Sequence, residues 1–252
     1  MLSKSKIKLI QSLNRKKDRD ESGFFLVEGI KMVEEALSSD FKIEFLVCST
    51  KFAHKHPEIQ FKVKEIIEAD SESIQKASLL KNPQEAIAVV SQSQDRRPEI
   101  ILQNELILAL DFIQDPGNLG TILRIADWFG IHTLVCSKNT VDVYNPKVAQ
   151  ASMGAIFRVK IWYTNLVEFL AESKEQNVPV FGTFLEGHDI YTEKLSKNGI
   201  IVLGNEGNGI SPEVAGEVSH KIFIPSFSSG KSSESLNVAI AAAICCSEFR
   251  RR

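Results

Sequence analysis

Three short segments of this chain combine glycines with polar side chains in a way that apolar packing does not require. The first is Asp111-Phe-Ile-Gln-Asp-Pro-Gly-Asn-Leu-Gly-Thr-Ile-Leu-Arg124. Gly117 and Asn118 can turn the chain there and cap a helix. On that helix Leu119, Ile122, Leu123 and Ala126 form a core stripe, whereas Gly120, Arg124 and Asp127 share another face. An arginine one turn above a glycine can reach a ligand at the helix N-terminus; the plainer alternative is a surface pair with Asp127. The second is Gly204-Asn-Glu-Gly-Asn-Gly209, whose glycines allow positive φ and close backbone approach. Its GxxGxG spacing is not the dinucleotide fingerprint, and no GxxxxGK[ST] triphosphate loop is present. A tight turn would account for the glycines but leaves the carboxylate of Glu206 unexplained. The third runs from Ile224 to Val238. Ser235 can cap the last helix, which puts Asn237 in a first turn where N–H groups bind anions or carbonyls.

The elements that must position these segments follow from periodicity. Apolar runs without alternation, at Leu106–Asp111, Thr133–Cys136, Ile156–Trp162, Val178–Phe184, Ile200–Leu203 and Lys221–Ile224, read as strands. Helices are expected at Asn118–Phe129, closed by Gly130, from Pro146, and at Leu166–Gln176, Pro212–Gly216 and Ser235–Phe249. That alternation argues for a parallel sheet covered on both faces. Ligands then gather outside the carboxyl ends of the strands, where all three segments lie. Upstream, a helix at Lys6–Leu13, a strand at Phe24–Val27, a helix from near Glu28 and strands at Ile43–Cys48 and Ala86–Val90 describe a small α/β domain. The polar stretch Ser91–Asn104 holds Pro98 and reads as a connection. The expected division is a domain over 1–95, a linker over 96–104 and a second domain over 105–252.

Composition narrows the classes. The 252 residues are 43% hydrophobic and 25% charged, which excludes global disorder. Thirty basic and 32 acidic residues give a net charge of −2, so a histone-like binder is excluded but a local basic patch is not. Residues 1–20 carry seven basic and two acidic side chains, a local charge of +5. Arg15, Lys16, Lys17 and Arg19 are therefore candidate phosphate contacts, with Lys147 and Arg158 as further ones; a solvated helix face is the alternative. The longest apolar run, Val238–Cys246, is far short of a membrane span, and the N-terminus does not read as a secretory signal. The four cysteines, Cys48, Cys136, Cys245 and Cys246, include no CxxC pair, so buried thiols in a cytoplasmic protein are expected rather than a metal site or disulfides.

Taken in order, N-L-G-T-I-L-R at 118–124, L-G-N-E-G-N-G-I-S at 203–211, and I-P at 224–225 with S-L-N-V-A at 235–239 resemble the three motifs of the SpoU/TrmH family of RNA 2′-O-ribose methyltransferases. Asn145-Pro-Lys-Val, Ala151-Ser-Met-Gly-Ala-Ile-Phe-Arg and Gly23-Phe-Phe-Leu-Val-Glu-Gly29 are similar to that family too. The resemblance covers the whole chain. It implies a C-terminal parallel-sheet α/β domain threaded into a deep trefoil knot, and a small N-terminal α/β domain similar to a ribosomal protein. It also implies S-adenosyl-L-methionine as cofactor, RNA as substrate, a homodimer and no metal. Carried onto these residues, Arg124 is the catalytic arginine and Asn118 its partner near the ribose, with Glu206, Ser235 and Asn237 completing the pocket. Gly204, Asn205, Gly209, Ile224 and Leu236 contact the cofactor, and Thr183, at a strand end, is a further candidate. The stretch between Ile224 and Leu236 is longer than the family's short link. The N-terminal domain favours ribosomal RNA over transfer RNA as substrate. The competing readings are a transfer-RNA enzyme, a non-catalytic ribosome-assembly factor and a dinucleotide-dependent enzyme.

Overall fold

The computed structural model describes residues 2–93, 102, 104–228 and 235–251. Its contacts divide the chain into two compact units, Met1–Gln94 with Asp142–Arg158, and Asp95–Val141 with Val159–Arg252.

The first unit opens with α1 (Lys4–Ser12), whose N-terminus is capped by the Ser3 hydroxyl accepting from the Lys6 amide. Helix α2 (Lys16–Ser22) follows and ends at Gly23, whose φ of 69° turns the chain into β1 (Phe24–Glu28). Next come α3 (Ile30–Leu37), β2 (Ile43–Cys48), α4 (Thr50–Lys55), α5 (Ile59–Lys62), β3 (Ile66–Glu68), α6 (Ser71–Ala77) and β4 (Ala86–Ser91). The strands lie in the order β1-β4-β2-β3, antiparallel except for β2 with β3. One face buries Leu26, Phe45, Val47, Ile87 and Val89 against Ile10, Leu13 and Ile74.

The second unit is a parallel sheet of six strands. It starts with β5 (Leu106–Leu110), α7 (Pro116–Trp128) and β6 (Thr133–Ser137). After an excursion through α8 (Pro146–Ser152) and a 3₁₀ turn at Ala155–Phe157, the chain resumes the sheet. It continues with β7 (Lys160–Thr164), α9 (Leu166–Glu175), β8 (Val180–Asp189), β9 (Gly199–Leu203), α10 (Pro212–Ala215), β10 (His220–Phe223) and α11 (Val238–Arg251). The order is β10-β8-β9-β5-β6-β7, with every neighbouring pair parallel. Strands β5 and β9 are buried along their whole length, as expected for central parallel strands.

Several expectations need correction. Ile156–Trp162 is not one strand: Met153 and Gly154 take positive φ, Ala155–Phe157 forms the 3₁₀ turn, and β7 begins at Lys160. The apolar residues there serve a different core. Phe157 packs edge-on against Phe41 at 5.3 Å and near Phe25, which also meets Tyr144 at 4.7 Å. These rings join the 142–158 excursion to the first unit. Helix α7 starts two residues before Asn118, and Asp115 caps it. Helix α11 starts at Val238 rather than Ser235. The expected linker falls largely on 94–101 and 103, which lie outside the described residues.

Arg19 also departs from its expected place on an exposed basic tract. It is buried in the first unit, where its guanidinium donates to the Leu13 and Asn14 carbonyls and twice to Asp142 Oδ2, at 3.0 and 2.6 Å. Asp142 is the only acid that meets this buried cation among the described residues. Removing one member of a buried pair costs about 3–5 kcal/mol, because the other charge is left without compensation. Asp142→Ala is expected at the lower end, about 3 kcal/mol, since two carbonyls still hold the guanidinium. The readouts are a lower thermal midpoint and faster deuterium exchange across 142–158; unchanged exchange there would show that the pair does not hold the excursion.

Candidate active site

The glycine loop after β9 is tied to the end of β5 by a short set of bonds. The Asp111 amide donates to the Leu203 carbonyl at 2.8 Å, continuing the strand pairing by one residue. The buried Asp111 carboxylate then accepts from the Ser211 amide at 2.8 Å, on the far side of the loop. Phe112 takes φ 59°, an unusual value for a bulky residue, and its carbonyl accepts from the Asn205 side-chain amide at 2.9 Å. Inside the loop, Asn205 Oδ1 accepts from the Gly207 and Asn208 amides, while Asn205 and Gly209 pair through their backbones. A Cβ on Gly204 would lie 2.2 Å from the Gly209 carbonyl carbon and 2.3 Å from the Ile210 nitrogen. Only glycine permits that backbone-on-backbone approach.

A second set of bonds joins the three glycine- and asparagine-bearing segments. Asp115 Oδ1 accepts from the Asn118 amide and opens α7. The Asn118 side chain, half-buried in the first turn, donates to Glu206 Oε1 at 2.6 Å and accepts from Asn237 Nδ2 at 2.9 Å. Asn237 Oδ1 in turn accepts from the Ala239 and Ile240 amides, which makes Asn237 itself the cap of α11. The capping residues are thus not the expected ones at either helix. Asp115 rather than Gly117 or Asn118 caps α7, and Asn237 rather than Ser235 caps α11. Both asparagines are thereby aimed at one point between the helix N-termini. Arg124 lies about 9 Å further along α7, from a rise of about 1.5 Å per residue. It is exposed and, among the described residues, pairs with neither Asp127 nor any other group.

Beside this chain of amides lies a cavity of about 770 Å³. Thr183, Gly204, Asn205, Gly209, Ile224 and Leu236 all line it, together with Glu206 and Ser235. Its apolar wall is supplied by Ile190, Leu203, Ile210, Ile222 and Val238. The size falls in the usual range for a ligand of a few hundred daltons, and the mixture of apolar wall and exposed loop backbone suits an aromatic ring with polar substituents. Asn118, Arg124 and Asn237 stand outside the lining. Cys245 reaches the wall, but burial pushes its thiol far up, so it offers no thiolate. Burial likewise pushes Cys246 up to about 12 and Cys48 to about 11. No group of three or more His, Cys, Asp and Glu side chains among the described residues is placed to hold a metal.

The remaining candidates lie in the first unit. Arg15, just before α2, and Lys16 and Lys17 on it are exposed and pair with Asp18, Asp20 and Glu21. Arg158 pairs with Glu35. The Lys147 ammonium has no partner among the described residues. Asp111 and Asp115 are functional positions that the sequence reading gives no role. An aspartate directly before Pro-Gly is a legible cap signal, whereas the reach of Asp111 to Ser211 spans 100 positions and has no sequence signal.

Residues 105–247 match the model of the SpoU rRNA Methylase family. The chain belongs to that family. Residues 4–88 match a second model, the MRM3-like substrate binding domain. This SpoU-family chain is 30% identical, over 97% of its length and 96% of the relative's, to the Bacillus subtilis 23S rRNA (guanosine(2553)-2′-O)-methyltransferase RlmP. It superposes with a TM-score of 0.90 on a TrmH-family protein from Porphyromonas gingivalis, 42% identical, covering 100% and 99% of the two chains. An AdoMet-bound rRNA methyltransferase from Sinorhizobium meliloti gives a TM-score of 0.87 at 31% identity, covering 100% and 96%.

Gly204→Ala tests the close approach at the loop. A methyl group forced into backbone costs about 1–3 kcal/mol by overpacking. The expected result is a lower thermal midpoint with faster deuterium exchange confined to 204–211, and retention of wild-type exchange there would contradict the geometry.

Proposed function

We propose that this SpoU-family chain transfers a methyl group from S-adenosyl-L-methionine to a ribose 2′-oxygen of ribosomal RNA. The observation that carries the reading is the hydrogen-bonded series Asn237–Asn118–Glu206, which brings the three motif segments together at the rim of the 770 Å³ cavity. The cavity supports a role for Thr183, Gly204, Asn205, Gly209, Ile224 and Leu236 in holding the cofactor. When bound there, S-adenosyl-L-methionine supplies an already activated methyl group on sulfur. The loop backbone of 204–209 holds the ligand's polar edges, and the apolar wall excludes water from the reacting centre. Placing the two reactants in line removes entropic cost, worth up to about 7–11 kcal/mol in favourable cases.

The remaining task is the 2′-hydroxyl proton, which passes to solvent water on the exposed side where Arg124 stands as the oxygen takes the methyl group and its bond to sulfur breaks. A guanidinium rarely gives up its own proton, so Arg124 acts by orienting the hydroxyl and its neighbouring phosphate and by stabilising the alkoxide that develops. The unpaired, exposed state of Arg124 supports this, because its donors are available to substrate. Glu206 and Asn237 hold the Asn118 amide in one orientation beside the ribose, and Ser235 closes the rim. Only RNA carries the attacking hydroxyl, and an unstacked loop presents it best. The substrate-binding domain match over 4–88 supports ribosomal RNA over transfer RNA. The matches over 4–88 and 105–247 support reading 1–95 as the substrate-binding part and 105–252 as the methyl-transfer part, of which 142–158 packs in the first unit. Membership of the SpoU family supports a knotted C-terminal region, and the exposed Trp128 and Ile240 on the mutually packed α7 and α11 support a homodimer. No helix among the described residues is long and apolar enough to cross a membrane.

The test is transfer of labelled methyl to ribosomal and transfer RNA pools. Label is expected in ribosomal RNA as alkali-resistant dinucleotides. Arg124→Ala is expected to lower turnover about a hundredfold or more, the scale of losing an oxyanion donor. Arg124→Lys should not rescue it, since an ammonium lacks the planar fork. Near wild-type turnover in Arg124→Ala would reject the assignment, and label in transfer RNA alone would reject the substrate.

The phosphate surface is reduced to Arg15, Lys16, Lys17, Lys147 and Arg158, because Arg19 is buried. Surface ion pairs such as those on α2 are worth only about 0–1 kcal/mol, so RNA phosphates can displace the acidic partners. Neutralising Arg15, Lys16 and Lys17 together is expected to reduce the slope of log K against log salt by about 2. An unchanged slope measured by filter binding would move the contact surface elsewhere.

A further inference from the structure

The first unit contains a second cavity, of about 350 Å³, that the catalytic reading does not use. It is walled by β1, by Met32 of α3, by Leu79 and Leu80 after α6, and by α8 of the 142–158 excursion. Leu26, Met32 and Ala149 are buried there and give it apolar faces. Glu28 stands in the same wall with only 6% of its surface exposed. Its carboxylate accepts from the Ser78 hydroxyl and from the Leu79 amide at 3.1 Å. Two donors do not exhaust a carboxylate, which has about four acceptor positions. Burial pushes the Glu28 carboxyl upward from its ordinary value, against the pull of those two bonds.

The rim carries unspent polarity of the complementary kind. The side chains of Asn14, Lys147 and Gln150 line the cavity and have no hydrogen-bond partner among the described residues. A buried carboxylate with spare acceptor capacity, apolar walls, two free amides and one free ammonium line one small site with few polar groups. A planar ring with N–H donors on one edge satisfies the carboxylate, while a phosphate attached to it reaches the ammonium. Guanine alone among the RNA bases presents two adjacent N–H donors on its Watson–Crick edge, and unstacked RNA bases are read along that edge.

We propose that this cavity binds an unstacked guanine of the RNA substrate, with Glu28 accepting from its N1–H and N2–H and Lys147 meeting a flanking phosphate. The proposal rests on RNA being the substrate and adds a recognition site separate from the methyl-transfer cavity.

The test uses the full chain with S-adenosylhomocysteine added to fill the methyl-transfer cavity. Each of the four nucleoside 5′-monophosphates is presented in turn at millimolar concentration, and saturation transfer to its base protons is followed by NMR. GMP is expected to give the strongest transfer, and Glu28→Gln to weaken GMP binding about tenfold at an unchanged thermal midpoint, the scale of one charged hydrogen bond. Should Glu28→Gln fail to fold, Gln150→Ala, at the rim, is expected to weaken GMP binding measurably on its own. Equal transfer from all four nucleotides, or a GMP response untouched by both variants, would overturn the guanine site. Preferential binding of AMP, CMP or UMP would overturn it as well. None of these readouts needs methyl transfer, so a failure of the catalytic reading shows separately in the labelled-methyl assay.

Discussion

The catalytic half of this chain depends on one close approach, the Gly204 backbone passing against Gly209 and Ile210 with no room for a Cβ. That passage folds the loop after β9 back on itself. The loop is then fastened to β5 through Asp111 to the Ser211 amide and through the Phe112 carbonyl to Asn205. With the loop so held, Glu206 sits where Asn118 can reach it. The strain of a positive φ at Phe112 is borne because Ser137, Asn205 and the strand pairing at Asp111 all constrain the same short turn.

Two helix N-termini meet at that point, and their caps decide what is left for chemistry. Asp115 caps α7 by accepting from the Asn118 amide, which leaves the Asn118 side chain to bridge Glu206 and Asn237. Asn237 spends its oxygen on the first amides of α11 and its nitrogen on Asn118. Each amide therefore has one orientation only, and a substrate hydroxyl placed beside them meets fixed dipoles rather than mobile ones. Arg124 stands apart from this network with its donors unspent.

The first unit shows a different economy of charge. A basic tract that looks uniform along the chain divides into three side chains facing solvent, each with an acidic neighbour, and one buried guanidinium. The buried one, Arg19, binds the excursion that the catalytic sheet sends out between β6 and β7. The same excursion brings Lys147 and Gln150 to the cavity beside Glu28. A segment of the methyl-transfer half in sequence is thus part of the substrate-binding half in space.

Much of this was legible from residue types alone. Unbroken apolar runs at Leu106–Leu110 and Ile200–Leu203 announce central parallel strands, and the glycine-rich and asparagine-bearing segments fall at their carboxyl ends, because local backbone freedom and burial leave direct marks on composition. The six residues that the family resemblance assigns to the cofactor all line one cavity. What the sequence could not specify was which distant groups satisfy each other. Ile156 and Phe157 read as strand because an apolar run does not say which core it fills, and they fill that of the other unit. Arg19 read as surface because a charge is expected to be solvated unless a partner is known, and Asp142 is 123 positions away. Local preferences are written in neighbouring residues, but the pairing of a buried charge or an orphan amide is settled only when the folded backbone brings its partner within about 3 Å.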